Sequence, residues 1–248
     1  INAPGAKYAG RFAGLGNSIS GLTINRPAAD QVGLFRAIDV AAEVRDLSLD
    51  NPLVNGQFWV GSLVGWNLGL VSNVRVTGDA AGRIDSIANG GGLIGVNGGT
   101  VEDSHASIEV RGLGANGGLI GGNQWGTVTD SSASGAVIGN GATGGLVGSN
   151  YLGTITNSFA TGDVDGQNGG NVGGLAGDSN GTIANSYATG RVFSSTNAGS
   201  ARGGLVGSNS GLIRKSFATG DVGAGGNQIG GLVGNNTAEN APAATIED

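Results

Sequence analysis

A glycine-rich unit that recurs along most of the chain constrains the fold more than any other feature of the sequence. The first half of the unit reads Gly-Gly-Leu-x-Gly or a close variant, and its leucine lies at Leu63, Leu93, Leu119, Leu146, Leu175, Leu205 and Leu232. Successive leucines are 30, 26, 27, 29, 30 and 27 residues apart. A recurrence at a nearly fixed period of this size is typical of proteins built from stacked structural repeats.

The second half of the unit has the pattern of short strands separated by turns. It reads Gly-Thr-[Ile/Val]-x-[Asn/Asp]-Ser-x-Ala-[Thr/Ser]-Gly-x-Val around Val128, Ile155 and Ile183. The chain has 53 glycines among 248 residues, and each glycine costs about 1 kcal/mol inside a helix. Because β-branched and aromatic residues between Gly and Asn favour strands, we predict an all-β fold. The period indicates a single right-handed parallel β-helix (β-solenoid) of about eight to nine coils of 26–30 residues.

The early copies of the unit differ from the late ones. We predict that residues 1–59 form divergent N-terminal coils and that residues 60–248 form the regular repeats. Thr245-Ile246-Glu247-Asp248 copies Thr100-Val101-Glu102-Asp103, so we expect the sequence to stop within a repeat of a longer parent chain.

Bulky residues in the early copies predict which positions face the core. We align Ile19/Leu22/Ile24 and Val44/Leu47/Leu49 with Ile155/Ser158/Ala160. At the last two positions the early copies carry large apolar residues where the late copies carry Ser and Ala. Because side chains alternate along a strand, the residue between the last two positions points outward. This outward column contains Arg75, His105, Ser132, Phe159, Tyr187 and Phe217, and a parallel one contains Thr77, Ser107, Ser134, Thr161, Thr189 and Thr219.

The outward aromatic residues Phe159, Tyr187 and Phe217 are candidate binding residues, together with His105 in the same column. Flat rings on a rigid face can stack on sugar rings or bury against a partner; the alternative is a ladder that only shields the sheet. His105 is the single histidine and the chain has no cysteine, which excludes His-based zinc sites and cysteine nucleophiles. We predict no metal and no cofactor.

A mixed row of charges recurs at another repeat position, at Asp163, Arg191 and Asp221. Carboxylates beside a cation could coordinate calcium or bind a sugar acid, as in β-helical polysaccharide lyases and hydrolases. Aspartate after glycine at a strand entrance is more commonly a turn residue, and the glycine-rich nonapeptide of calcium-binding β-rolls is missing. We therefore predict that the chain is not an enzyme, with calcium kept as an alternative.

A column of asparagines follows the Gly-Gly-Leu-x-Gly segment, at Asn67, Asn97, Asn123, Asn150 and Asn209. Asparagine accepts left-handed turn geometry and can satisfy backbone groups of a neighbouring coil. We interpret these residues as a structural turn column; ligand binding is the alternative.

Composition excludes two classes of partner. The formal net charge is −6 with 12 Lys and Arg, whereas nucleic-acid binding needs concentrated positive charge. No apolar run of membrane-spanning length occurs in the sequence. We predict no nucleic-acid partner and no membrane insertion by this segment.

Gly-Leu-Val-Gly followed by Asn, and then Gly-Thr-Ile-x-Asn-Ser-[Phe/Tyr]-Ala-Thr-Gly-x-Val, resembles the GLUG repeat over Val60 to Asn236. That repeat occurs in large bacterial surface proteins, including filamentous-haemagglutinin-like adhesins exported by two-partner secretion and some immunoglobulin A peptidases. The resemblance implies a secreted or cell-surface β-helical shaft. Its partners would be a host or cell-surface glycan or protein and further repeats of the same parent chain. The peptidase motif HExxH is absent, so no catalytic residue is carried over.

The leading hypothesis is a rigid repeat segment of a bacterial adhesin, with glycan or host-surface contact through its aromatic face or through the edge formed by the variable loops between repeats. One alternative is a carbohydrate-active β-helix that uses Asp163, Arg191 and Asp221. Another is an ice- or crystal-binding face built on Thr161, Thr189 and Thr219.

Overall fold

The chain folds as a parallel β-solenoid in a computed structural model that describes residues 5–79, 81–196, 201–237 and 245–247. Each strand pairs in parallel with its equivalent one coil away, as Ile155 does with Val128 and with Ile183. One of the four sheets has eight strands, one from each coil, so the predicted all-β solenoid and its number of coils are confirmed. The described residues contain no helix. The right-handed winding stays a prediction.

Four sheets run along the solenoid, and we number them in the order in which each coil meets them. Sheet 1 contains Phe35–Ile38, Val64–Asn67, Ile94–Asn97, Ile120–Gln124, Val147–Tyr151, Ala176–Ser179, Val206–Asn209 and Val233–Asn236. Sheet 3 contains Thr23–Arg26, Leu53–Gly56, Arg83–Ser86, Glu109–Gly112, Val137–Gly139, Val164–Gly166 and Val192–Phe193. Sheet 4 contains Phe58–Gly61, Ala88–Gly91, Asn116–Gly117, Thr143–Gly144, Val172–Gly173, Ala201–Gly203 and Gln228–Gly230.

Sheet 2 is the largest and carries the candidate site. It begins with the long strands Arg11–Ser20, Glu43–Asp50 and Leu70–Thr77. It then continues as two rows of short strands. The first row contains Thr100–Glu102, Thr127–Thr129, Thr154–Thr156, Thr182–Ala184, Leu212–Arg214 and Thr245–Glu247; the second contains His105–Ser107, Ser132–Ala133, Phe159–Ala160, Tyr187–Ala188 and Phe217–Ala218.

The core consists of columns of equivalent residues stacked along the solenoid. The repeat leucines from Leu63 to Leu205 are fully buried, and so are the predicted inward residues Ile155, Ser158 and Ala160. Between the last two, Phe159 lies half-buried on the outer surface. The predicted inward and outward positions of the late repeats are confirmed.

The predicted alignment of the first coil is wrong. Ile19 pairs with Leu49 rather than with Val44, and Ile24 pairs with Val54 on sheet 3. The first strand contains a β-bulge between Ala13 and Asn17, and the extra residues lengthen the spacing between its inward positions. The order Ile19-x-x-Leu22-x-Ile24 therefore matched the repeat spacing only by coincidence.

A column of left-handed residues divides sheet 2 into its two rows. These residues have φ between 47° and 55° and are Asp46, Asn73, Asp103, Asp130, Asn157, Asn185 and Lys215. Asparagine and aspartate adopt this conformation at lower cost than other L-residues. The [Asn/Asp] of the repeat is thus the residue at which each coil bends.

Among the described residues, no helical segment has the length and hydrophobicity required to cross a bilayer.

Candidate functional site

The structure brings the predicted outward column together as one continuous row on the outer face of sheet 2. His105 lies between Arg75 and Ser132, Phe159 follows Ser132, and Tyr187 and Phe217 follow in turn. We call Phe159, Tyr187 and Phe217 the aromatic strip. Its ring centroids are 4.9 Å and 5.1 Å apart, with interplanar angles of 1° and 6°. Phe217, at one end, is 54% exposed.

A buried column of serines fixes the backbone beneath the aromatic strip. The Oγ of Ser158 donates to the carbonyl oxygen of Thr156 at 2.7 Å and accepts the backbone N–H of Ser131 at 3.2 Å. Ser186 repeats both bonds one coil further on. Since each hydroxyl is satisfied within the fold, the backbone that carries the rings is held in place in every coil.

A depression of about 260 Å³ lies beside His105 on the same face. Its lining includes Arg75, His105, Ser107, Ser132 and Ser134. The Nδ1 of His105 lies 2.8 Å from the Oγ of Ser132. Burial, and then the positive charge of Arg75, lower the pKa of His105, while Asp103 opposes them. At neutral pH the imidazole is therefore uncharged and presents one donor and one acceptor.

The mixed row of charges is only partly assembled. The Nη2 of Arg191 lies 3.4 Å from Oδ2 of Asp163, and the backbone N–H of Arg191 donates to Oδ1 of Asp163 at 3.0 Å. Both side chains are about half exposed, at 55% and 51%, and Arg191 also covers the ring of Phe193. Asp221 lies on the next coil and has a backbone contact with Val192. Asp163 thus accepts a hydrogen bond from the backbone of the next coil and links two coils, rather than closing a local turn.

The described residues contain no cluster of three or more His, Cys, Asp or Glu side chains that could hold a metal ion. The predicted threonine column of Thr161, Thr189 and Thr219 is exposed, and each threonine directly follows a strand in the second row of sheet 2.

The asparagine column has a structural role, but the expected left-handed geometry occurs elsewhere. The side chains of Asn67, Asn97, Asn123 and Asn150 are fully buried and form an amide ladder. The Nδ2 of each of the first three donates to the Oδ1 of the next asparagine, at 2.6 Å, 2.8 Å and 2.8 Å, and the Nδ2 of Asn150 donates to the Oγ of Ser179 at 3.2 Å. Asn209 bonds in the same way to Asn236 at 2.8 Å. The left-handed residues are those of the bend column in sheet 2.

Sequence reasoning missed an exposed aromatic pair at the corner between sheets 1 and 2. Trp125 is 66% exposed and contacts Tyr151 edge-on, with ring centroids 5.4 Å apart. Trp125 and Leu152 have φ of 59° and 50°, a conformation that costs such side chains about 1–2 kcal/mol. The signal in the sequence is one extra residue between the ladder asparagine and the next glycine in these two repeats.

Part of the chain is similar to known repeat sequences. The family described as the GLUG motif matches residues 139–165, so the chain carries the motif that its sequence predicts. Over 99 residues the chain is 39% identical to Halomucin from Haloquadratum walsbyi (strain DSM 16790 / HBSQ001), a match that covers 40% of the chain and 1% of Halomucin. The chain thus spans about one hundredth of the length of that relative.

A crystal structure of a candidate immunoglobulin A1 protease from Bacteroides ovatus aligns with 96% of this chain and 68% of its own, with 17% identity and a TM-score of 0.48. At that identity and score, no activity follows from the likeness.

Proposed function

We propose that this chain is a rigid repeat segment of a secreted or cell-surface protein, and that the outer face of sheet 2 contacts a glycan through the aromatic strip. The GLUG motif and the similarity to a short part of Halomucin support the repeat-segment proposal. The adhesive role proposed for this segment rests on the sequence resemblance of its repeat to that of filamentous-haemagglutinin-like adhesins. Further repeats of the parent chain would extend the same solenoid.

The observation that carries the glycan contact is the row of three aromatic residues on an otherwise polar face. Equivalent positions in preceding coils hold Arg75, His105 and Ser132, so rings are not required for the fold at this position. The strip is rigid because each ring stacks on the next at one-coil spacing. A rigid aromatic surface binds sugar with little loss of side-chain entropy. Aromatic contacts each contribute about 0.5–1.5 kcal/mol beyond buried area.

A glycan array tests this proposal with a variant in which Tyr187→Ser and Phe217→Ser copy the residue already present at position 132. The variant should lose at least about tenfold in affinity for any neutral glycan that the native chain binds, because two ring contacts are removed. Trp125→Ser removes a ring that is more exposed, at 66% against 54% for Phe217, and lies outside the strip, and it is the matched control. Unchanged binding by the double variant, or loss by the control alone, would contradict the proposal.

We also propose that the segment has no catalytic role. The pairing of Asp163 with Arg191 across neighbouring coils, with both side chains half exposed, supports a structural role for these two residues. An acidic polysaccharide incubated with the chain, with and without calcium, should keep its length. Shortening of the polymer that disappears in Asp163→Asn would overturn this view.

A further inference from the structure

The stacking geometry of the aromatic strip determines where a ligand ring can bind face to face. Phe159 and Tyr187 are parallel within 1° at one-coil spacing, and Tyr187 and Phe217 within 6°. Each ring therefore covers a face of its neighbour, and the middle of the strip presents mainly ring edges to solvent. A free face remains at the ends of the strip, one of which belongs to Phe159 and looks toward Ser132.

The position of Ser132 interrupts the column between two flat side chains. His105 and Phe159 occupy the rungs on either side of it. Neighbouring coils lie about 4.8 Å apart, so these two rungs are about 10 Å apart and leave room for one flat group between them. The small side chain of Ser132 forms the floor of this opening and also lines the depression of about 260 Å³, together with Ser107 and Ser134. Phe159 is the neighbour of Ser132 in the column and adjoins the depression at that residue.

The charge of this depression favours an anion. Arg75 is exposed and lines the depression, and within the described ranges no carboxylate forms an ion pair with it. Arg83 and Arg111, by contrast, each pair with an acid on their own strand. A free guanidinium binds carboxylate or sulfate through two parallel hydrogen bonds. The hydroxyl of Ser134 adds a neutral donor beside it, whereas the hydroxyl of Ser107 donates to the carbonyl oxygen of Val76 at 3.4 Å.

We infer that the opening at Ser132 is a binding slot for an acidic sugar, whose ring stacks on Phe159 and whose carboxylate or sulfate binds Arg75. This inference rests on the proposed glycan contact and adds the chemical class of the ligand. Asp103, which lies close enough to act on His105, limits the number of negative charges that the slot accepts. The slot would therefore select a single acidic group per ring over a densely charged one.

Three polymers with one backbone test the slot: dextran, carboxymethyl-dextran and dextran sulfate, with affinity measured by biolayer interferometry. Ser132→Phe fills the slot by copying the next coil, and should leave the fold intact. Arg75→Gln removes the cation. Each change should weaken binding of the lightly substituted carboxymethyl polymer, or of the sulfated one, by at least about tenfold. Arg111→Gln makes the same charge change on sheet 3 and should have no effect.

The outcomes separate the slot from the wider proposal. The slot is supported if the native chain prefers an acidic polymer, if both slot variants lose that preference and if Arg111→Gln keeps it. The acidic polymer with the higher affinity then shows whether the slot binds carboxylate or sulfate. Equal affinity for all three dextrans, or equal losses in Arg75→Gln and Arg111→Gln, overturns it. If the slot variants bind normally while the Tyr187→Ser and Phe217→Ser variant does not, the slot is wrong and the glycan contact stands.

Discussion

The early and late coils fill the same interior in different ways. One inward column of sheet 2 changes from large to small side chains along the chain, in the order Ile19, Leu49, Val76, Ala106, Ala133, Ala160, Ala188 and Ala218. In the first coils the rings of Tyr8 and Phe12 also pack on Phe35, with centroids 5.1 Å and 5.4 Å from it. The early interior is a conventional hydrophobic core.

Polar ladders replace apolar bulk in the late coils. On sheet 1 the column that starts at Ile38 continues as Asn67 and the amide ladder. On sheet 2 the column of Leu47 and Val74 continues as serines, the first of which, Ser104, accepts the N–H of Val74. Hydrogen bonds along the solenoid axis and close backbone approaches can therefore substitute for hydrophobic volume. The late coils should tolerate added atoms and lost polar groups less well than the early ones.

The largest expected effect is that of a single methyl group at a repeat glycine. A Cβ on Gly145 would collide with the carbonyl oxygen of Gly174 and lie 2.9 Å from the Cβ of Ala160. Neither backbone can move without shifting its own coil, so Gly145→Ala should cost at least about 4 kcal/mol of unfolding free energy in urea.

Gly231→Ala is the matched control, because a Cβ there meets nothing within 4 Å. It should change stability by no more than about 0.5 kcal/mol. If Gly145→Ala unfolds at the same urea concentration as the native chain, the close approach of the Gly145 and Gly174 backbones does not restrict the size of the residue at this position.

Loss of one amide from the ladder should have an intermediate effect. Asn123 accepts from Asn97 at 2.8 Å and donates to Asn150 at 2.8 Å and to the carbonyl of Gly126 at 3.0 Å. Asn123→Ala leaves these buried partners unsatisfied, and should cost about 2–3 kcal/mol. Urea unfolding checks this, with Asn140→Ala, on a half-buried side chain at the surface, as the control. If both variants lose the same unfolding free energy, the ladder hydrogen bonds of Asn123 contribute no more stability than a surface asparagine does.

The sequence predicts the parts of this fold that repeat. The leucine period predicts the solenoid, because equal spacing places equivalent residues one above another. Comparison of bulky and small copies predicts that Ser158 and Ala160 face inward and Phe159 outward. It also predicts the membership of the outward column from Arg75 to Phe217, which the strand register confirms.

The sequence does not predict the places where one residue type suits two environments or where a coil changes length. Asn150 and Asn157 both recur at fixed repeat positions, yet one bonds inside a ladder and the other bends the chain with φ of 50°. Asparagine is suited to both roles, so only the packed coil distinguishes them. The bulge in the first strand and the extra residue before Trp125 shift the spacing on which the pattern depends.

The smallest expected effect is a pH dependence of the unfolding free energy, which originates at His105 on the outer face of sheet 2. Burial and the charge of Arg75 lower the pKa of folded His105, so the unfolded chain binds a proton first as pH falls from about 6.5. The contribution of the neutral imidazole is complete above that pH and is lost as pH falls through the folded pKa. His105→Ser, which copies Ser132, should remove this loss.

Urea unfolding at about pH 7.5 and about pH 5.5, on either side of the ordinary histidine pKa, gives the loss of unfolding free energy between the two pH values. This loss is compared between the native chain and His105→Ser. Burial also raises the pKa of Asp178, which acts in the opposite direction but is common to both proteins and cancels. The native chain should lose slightly more stability than the variant, and the effect is small because the imidazole is only half-buried. A greater loss in the variant would mean that protonated His105 stabilises the fold, with Asp103 dominating Arg75.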